Sequence, residues 1–163
     1  MANVLVVAEM TKKKQTFTII QDTREKKPWT FEATGSVQDV KVEKLDTGDY
    51  SIEGMEDIFF VERKASVEEV YISLGVQWER FRKEMERAKP YKYKFLVIEA
   101  TMREIYRGTR YSKMTGKFIM ARLLHIEQEY GVRVVFAGSG MHVPGFIIQL
   151  MLGIKRKEEE CQS

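Results

Sequence analysis

The sequence predicts an α/β domain in which a mixed central sheet is flanked by helices. Short apolar segments of strand length alternate along the chain with longer segments that have helical periodicity. Turn-forming residues separate them, most clearly at residues 26–29 and 46–49. This alternation favours a sheet covered by helices. A chain of 163 residues suits one domain of this kind and can bury a sizeable core.

The first half of the chain supplies most of the predicted strands. Residues 17–21 form an apolar segment that ends at Asp22, and residues 40–45 alternate between apolar and polar side chains. Residues 50–52 and 58–64 lie on either side of Gly54, which predicts a hairpin.

Helices dominate the second half. Ser66 is a predicted N-cap, because two acids follow it in the first turn of a helix that continues to about Leu74. Further helices are expected at 78–89, 115–130 and 143–152, with strands at 95–99 and 132–137. We expect one domain over residues 1–154, including an N-terminal extension (1–16), and a frayed polar tail at 155–163.

Composition restricts the class of protein only loosely. The net charge of +3 does not by itself indicate a nucleic-acid-binding protein. Cys161 is the only cysteine, so no internal disulfide is possible and a reducing compartment is favoured. Residues 3–10 are apolar but too short for a secretory or transmembrane segment. We expect a soluble, intracellular protein.

The residues most suggestive of chemistry are Asp49, Glu62 and Lys64. Side chains alternate along a strand, so Glu62 and Lys64 should lie on the same face. If the hairpin brings Asp49 beside them, two carboxylates and one ammonium group converge. Two carboxylates suit Mg²⁺ when water and phosphate oxygens complete its coordination, and a lysine there could orient or deprotonate an attacking water. This pattern suggests metal-assisted phosphodiester hydrolysis.

The alternative interpretation is an exposed ladder of paired charges, which is common on strands. The segment before Glu62, residues 58–61, is apolar enough to be a buried strand. Charges at the end of a buried strand are costly unless they are paired or bind a metal. The context therefore favours a site.

The order of motifs resembles the XPF-type structure-specific DNA nuclease domain of the restriction-endonuclease-like superfamily. That family's signature is Gly-Asp, a gap, and Glu-Arg-Lys-x-x-x-Asp; here Gly48-Asp49 is followed by Glu62-Arg63-Lys64 and, in the last position, Glu68. An early Asp22-Thr23-Arg24-Glu25 segment, an Arg80-Phe81 helix with Glu84, and a Leu96-Val97-Ile98-Glu99 strand also match. The similarity extends over residues 17–152.

The resemblance implies a nuclease that cuts branched DNA such as 3′ flaps or forks with Mg²⁺ or Mn²⁺. It implies catalytic roles for Asp49, Glu62 and Lys64, with the metal held by Asp49 and Glu62, and it adds Arg63 and Asp22 to the catalytic set. Glu68 replaces the family aspartate and is expected, with Glu99 and Arg24, behind the metal ligands. Arg63 could brace Asp22 or Glu99, or contact a phosphate.

A basic segment, defined as residues 101–122, is the predicted DNA-binding region. It holds six basic residues against one acid, with three aromatic residues between them. Those assigned to DNA are Arg103, Arg107, Arg110, Lys113 and Lys117. Basic groups neutralise phosphates and aromatic rings stack on unpaired bases. A solvated helix face is an equally good interpretation of the basic residues, and we expect Phe118 in the core.

Partners follow from the same resemblance. Family members usually carry a helix-hairpin-helix domain, which these residues do not contain, so a DNA-binding partner protein or a homodimer through the nuclease domain is expected. Leu123 and four residues of the last helix are candidates for an apolar dimer patch, although core packing is the simpler explanation: Ile147, Ile148, Leu150 and Met151. Two alternatives remain: a catalytically silent scaffold with the same fold, and a junction-resolvase-like nuclease.

Overall fold

The computed structural model describes residues 15–31 and 35–162, and within them six strands form one sheet in the order β2-β1-β3-β4-β5-β6. The strands are β1 (Phe17–Asp22), β2 (Val37–Glu43), β3 (Tyr50–Ile52), β4 (Phe59–Lys64), β5 (Tyr93–Ile98) and β6 (Arg133–Phe136). The helices are α1 (Val67–Leu74), α2 (Trp78–Arg87), α3 (Met102–Arg107), α4 (Gly116–Tyr130) and α5 (His142–Gln162). This mixed sheet with flanking helices is the predicted α/β, restriction-endonuclease-like architecture.

Strand direction decides where the polar strand ends meet. β3 pairs antiparallel with both β1 and β4, whereas β4, β5 and β6 are mutually parallel, as are β1 and β2. The carboxyl ends of β1, β4 and β5 therefore lie at the same sheet edge as the start of β3. This edge, which we call the acidic edge, carries Asp22, Asp49, Glu62 and Glu99.

Two apolar clusters cover the two faces of the sheet. One joins Tyr50 and Phe59 to Ile147 and Met151 of α5, and the other joins Phe60 and Leu96 to α1, α2 and α4. Leu123, Ile147, Ile148 and Met151 are all buried in these clusters. The suggested dimer patch at these residues is therefore wrong, because they form the core.

Several predicted boundaries needed correction. The second strand begins and ends earlier than 40–45, and the short helix α3 was not predicted. Residues 155–162 are not a frayed tail but the last turns of α5. Lys155 pairs with Glu159 at 3.0 Å, and Glu158 accepts a hydrogen bond from the Tyr93 hydroxyl at 2.7 Å and also pairs with Lys92. The first contact stabilises the helix itself, and the two contacts of Glu158 attach the charged turns of α5 to the start of β5.

The predicted N-terminal extension lies almost entirely outside the described residues, as does the apolar segment 3–10. No helix among the described residues combines the length and apolar character needed to span a membrane.

Candidate active site

The turn before β3 brings Asp49 to the end of β4. The Asp49 amide donates to the Val61 carbonyl at 2.8 Å, and the Arg63 amide donates to Asp49 Oδ2 at 2.7 Å. Gly48 has a φ of +79°, and a Cβ at this position would lie 2.9 Å from Phe60 Cβ. Only glycine fits this turn without displacing Asp49.

Glu62 and Lys64 lie on one face of β4, as the alternation predicted. Lys64 Nζ is 2.8 Å from Glu62 Oε1, and the two side chains are only 12–13% exposed. The Lys64 ammonium also lies 4.8 Å from the centre of the Phe81 ring on α2. The pair is thus held in a narrow space between the sheet and α2, which is the opposite of a solvated charge ladder.

Asp49 and Glu62 both line a cavity of about 150 Å³ at the acidic edge. Burial, followed by the negative charge of Glu62, raises the pKa of Asp49 to about 8. Burial disfavours the charged form of Lys64, but the Glu62 carboxylate outweighs it and raises the lysine pKa above its ordinary value. The site therefore resists ionisation of Asp49 beside Glu62, and the positive charge of Lys64 does not remove this resistance.

This donor set fits a divalent cation. Of the two carboxylate oxygens of Asp49, Oδ2 accepts a hydrogen bond from within the described residues and Oδ1 does not. A cation between Asp49 and Glu62 would relieve the repulsion between their carboxylates. Within residues 15–31 and 35–162, no three His, Cys, Asp or Glu side chains cluster closely enough to hold a metal. A cation here would have two protein ligands, and oxygens of water and substrate would supply the rest.

Asp22 is placed at the same edge but is engaged differently. Its carboxylate accepts hydrogen bonds from Arg24 Nε at 2.6 Å and from the Leu45 amide at 2.7 Å. Burial acts to raise its pKa, but the hydrogen bonds from Arg24 and Leu45 lower it overall. With both oxygens occupied, Asp22 is suited to orienting Arg24, whose exposed side chain lines the same cavity.

Arg63 points to the other side of β4, where it pairs with Glu99. Its Nε donates to Glu99 Oε1 at 2.5 Å, and Glu25 lies 3.9 Å away. Trp29 completes the cluster: its indole Nε1 donates to Glu99 at 2.6 Å, and the guanidinium lies 4.7 Å from its ring centre. Of the two expected partners of Arg63, the structure selects Glu99, since Asp22 is bound by Arg24.

Trp29 is a residue that sequence reasoning missed. It is 7% exposed, its ring stacks on Tyr50 at 4.7 Å, and its amide donates to the Tyr50 hydroxyl at 2.9 Å. It contacts both Tyr50, which follows Asp49, and Arg63, whose amide holds Asp49. The spacing of these residues gives no sign of this, because Trp29 lies in an irregular segment.

Glu68 does not face the cavity. It is exposed on the first turn of α1, and its polar contact is with the Thr109 hydroxyl at 3.4 Å. Ser66 does cap α1, as predicted, by accepting a hydrogen bond from the Glu69 amide at 3.2 Å. The placement of Glu68 favours its interpretation as an acid near a helix N-terminus over one behind the metal ligands.

Three charged residues of α2 line the cavity and were absent from the predicted site: Arg80, Glu84 and Arg87. Arg80 is 75% exposed and pairs with Glu84 at 3.2 Å. The Arg-Phe-x-x-Glu pattern at residues 80–84 was the available signal for Arg80 and Glu84, since Phe81 and Met85 of α2 belong to the same apolar cluster as Phe60 of β4.

The basic segment spans α3, the following loop and the start of α4. Arg103, Arg107, Arg110, Lys113 and Lys117 are all exposed. Arg122, by contrast, is partly buried: it donates a hydrogen bond to the Leu74 carbonyl, and its guanidinium group lies 4.6 Å from the centre of the Trp78 ring. The prediction that Phe118 is buried is wrong; its ring is 43% exposed and is covered by Arg122 at 4.4 Å.

Comparisons with known proteins show the family and the fold of this chain. The ERCC4 domain family model matches residues 21–149. XPF from Aeropyrum pernix is similar in structure, with a TM-score of 0.67 and 21% sequence identity over 89% of this chain and 68% of that chain. A structure titled XPF from Aeropyrum pernix, complex with DNA, gives a TM-score of 0.64 and 22% identity over 87% and 66% of the two chains. No curated protein shows a significant match.

Proposed function

Because this chain belongs to the ERCC4 domain family, we propose that it is a divalent-metal-dependent endonuclease that hydrolyses DNA phosphodiester bonds. The observation that carries the proposal is that Asp49 and Glu62 line one small cavity while the Lys64 ammonium group lies 2.8 Å from the Glu62 carboxylate. We further propose that its substrates are branched DNAs such as 3′ flaps and forks.

Asp49 and Glu62 are the residues that would hold Mg²⁺ or Mn²⁺. When bound there, such an ion supplies Lewis-acid chemistry: it polarises a phosphoryl oxygen and makes water a better nucleophile at neutral pH. The protein's own contribution is to keep both carboxylates fixed. The Arg63 amide orients Asp49, and the Lys64 ammonium orients Glu62.

In this arrangement Lys64 acts through its positive charge and not as a general base. Its raised pKa keeps the ammonium group protonated at neutral pH, so it does not accept the proton of the attacking water. A fixed positive charge beside the cavity stabilises the negative charge that develops on the phosphoryl oxygens. Between the two roles considered from the sequence, the electrostatics favour orientation and charge stabilisation.

Arg24, Arg80 and Arg87 line the same cavity and provide cations at its mouth. Exposed guanidinium groups bind phosphate oxygens in a bidentate manner. We assign them to the DNA backbone on either side of the bond that is cut.

The test uses labelled duplex, single-strand, 3′-flap, fork and four-way-junction DNA with Mg²⁺, Mn²⁺ or a chelator. We expect metal-dependent cleavage of branched DNA that falls at least about a thousandfold in Asp49→Ala, since one ligand is lost. Asp57→Ala, an exposed acid on the turn before β4, is the matched control.

Cleavage by Asp49→Ala at the wild-type rate would overturn the assignment of the metal ligands. DNA binding without cleavage by the wild type in any metal would favour the scaffold alternative. Preference for four-way junctions would favour a resolvase-like role.

A further inference from the structure

A groove outside the acidic edge lies between α1 and the loop that joins α3 to α4. It encloses about 290 Å³ and is lined mainly by Ile72, Val76, Tyr111 and Met114, with Tyr71 and Glu68 beside them. Three of these apolar side chains are unusually exposed: Val76 by 84%, Tyr111 by 71% and Ile72 by 47%. Exposed apolar side chains that line a concave surface commonly mark a binding site.

The groove is built in advance of any ligand. The Tyr71 hydroxyl donates to the Ile105 carbonyl at 2.8 Å, which fixes α3 to α1. A Cβ at Gly75 would lie 2.9 Å from Met114 Sδ, so the loop packs tightly on the end of α1. Thr109 bonds to Glu68 across the mouth. The loop is therefore held in place, and its exposed side chains are presented on a firm base.

Charge around the groove identifies the chemical class of its occupant. The loop and the adjoining turns of α3 and α4 carry five exposed basic residues, including Arg107, Arg110 and Lys113. Glu104, the one acid among residues 102–117, is engaged in capping α3 through Thr101, and Glu68, the acid of the groove lining, accepts a hydrogen bond from Thr109. Such a surface attracts a polyanion and repels a second copy of itself, because a two-fold interface would bring like charges together.

The shape narrows the occupant further. The groove is at the lower limit of the ~300–1,000 Å³ typical of small-ligand pockets, and it is too small for an α-helix about 10 Å wide. A single base fits this volume, and an aromatic ring beside basic groups is the usual means of holding an unpaired base. Arg110 already lies 4.8 Å from the Tyr111 ring centre, so the ring is flanked by a phosphate-binding group.

We propose that this groove holds an unpaired nucleotide of the single-stranded branch of a DNA substrate, with its base against Tyr111. Arg110 and Lys113 would bind the flanking phosphates. The inference rests on the proposed function in that the polymer is DNA. A site for an unpaired nucleotide would let the protein distinguish a branch from plain duplex. It would also give α1, which follows directly after β4 with Glu62 and Lys64, a role in orienting the branch.

The test measures binding in the presence of a chelator, so that it does not depend on cleavage. Fluorescence anisotropy would compare blunt duplex with the same duplex carrying a single-stranded branch. We expect Tyr111→Ala to lower affinity for the branched DNA about tenfold, as loss of one stacking contact does, and to leave duplex affinity unchanged. Tyr111→Phe keeps the ring and should bind like the wild type.

Tyr106→Ala is the matched control, because Tyr106 is an exposed tyrosine of the same basic segment that does not line the groove. A 2-aminopurine in the branch should be quenched by the wild type and by Tyr106→Ala, and not by Tyr111→Ala. Tyr111 is largely exposed, so an unchanged unfolding midpoint should accompany the variant.

Equal weakening by both alanine variants, or equal weakening for duplex and branch, would overturn the proposal. So would wild-type quenching in Tyr111→Ala. An apolar interface is the alternative: a Val76→Asp variant that becomes monomeric while branch binding is unchanged would show that the groove is a protein contact. If the wild type binds branched DNA selectively but does not cleave it, the proposed reaction would be wrong and the groove proposal would stand.

Discussion

The acidic edge and the basic segment differ in how firmly their functional side chains are held. At the acidic edge Glu62, Lys64 and Arg63 are 10–13% exposed, and each contacts a partner within 2.8 Å. In the basic segment Arg103, Arg107 and Lys117 project into solvent from helix surfaces. The edge is arranged for chemistry, which needs fixed distances, whereas the basic surface is arranged for attraction, which tolerates mobile side chains. Substitutions in the two regions should therefore change different constants.

The largest effect after loss of a metal ligand is expected at Lys64. Lys64→Ala should reduce kcat about a hundredfold or more while the Kd for DNA changes little, because the ammonium acts on developing charge. Lys64→Arg keeps the charge and should retain more activity. Single-turnover cleavage with saturating DNA would measure both.

The opposite result for Lys64→Ala, a weaker Kd with unchanged kcat, would remove the contrast between the two regions. Lys64 would then behave as one more phosphate-binding residue.

Trp29 should give the next largest effect. Trp29→Phe retains a ring against Tyr50 and Arg63 but loses the N–H that donates to Glu99. We expect kcat to fall about tenfold, since small displacements of a catalytic group have effects of this order or larger, with KM unchanged.

Trp78→Phe is the matched control for Trp29. Trp78 lies on α2 under Arg122 and packs against the apolar cluster on the other face of the sheet from Trp29. Both variants should lower the unfolding midpoint, but only Trp29→Phe should change kcat. Equal kcat in the two variants would show that Trp29 is purely structural.

A smaller effect is expected from pH, and it changes the stability of the fold rather than the rate of cleavage. Folding raises the pKa of Asp49 from 3.8 to about 8, so the folded protein binds a proton there that the unfolded chain does not. Stability from this group is fully present below about pH 4 and is lost as the pH rises toward 8. Thermal unfolding without metal should therefore show a decline over this range that is weaker in Asp49→Asn.

Mg²⁺ should offset that decline, because a cation replaces the proton and stabilises the ionised carboxylates most at high pH. A wild-type pH profile that coincides with that of Asp49→Asn would show that Asp49 is ionised at its ordinary pKa.

The smallest effects should come from the basic segment. Arg107→Ala should weaken binding of all DNA shapes a few-fold and lower the slope of log K against log salt by about one. Cleavage at saturating DNA should be unchanged. Lys157→Ala, on the far part of α5, is a charge-matched control. A change in kcat for Arg107→Ala would mean that the basic segment takes part in the chemistry.

The sequence predicted those parts of the site that depend on strand geometry. The spacing of Glu62 and Lys64 fixed their shared face, and the Gly48-Asp49 turn beside a hairpin placed the second carboxylate. The hydrogen bonds from Arg24 to Asp22 and from Trp29 to Glu99 could not be predicted, because Arg24 and Trp29 lie in irregular segments whose conformation is set by tertiary packing.

The order of the six strands and of the four longer helices was predicted, but α3 and the last turns of α5 were not. α3 is only six residues long, and its capping box at Thr101 and Glu104 lies in a segment whose pattern is dominated by basic residues. The last turns of α5 have a polar sequence typical of a tail, and contacts with Lys92 and Tyr93 stabilise them. Phe118 was assigned to the core from hydrophobicity, yet Arg122 covers it at the surface.

The central claim is that Asp49 and Glu62 form one divalent-metal site. Isothermal titration with Mn²⁺ at pH 7.5, in two buffers of different ionisation enthalpy, tests it directly. We predict one ion per chain, with proton release that reflects the raised pKa of Asp49, and loss of binding in Asp49→Asn and in Glu62→Gln but not in Asp57→Asn. Unchanged Mn²⁺ binding in both Asp49→Asn and Glu62→Gln would contradict the account.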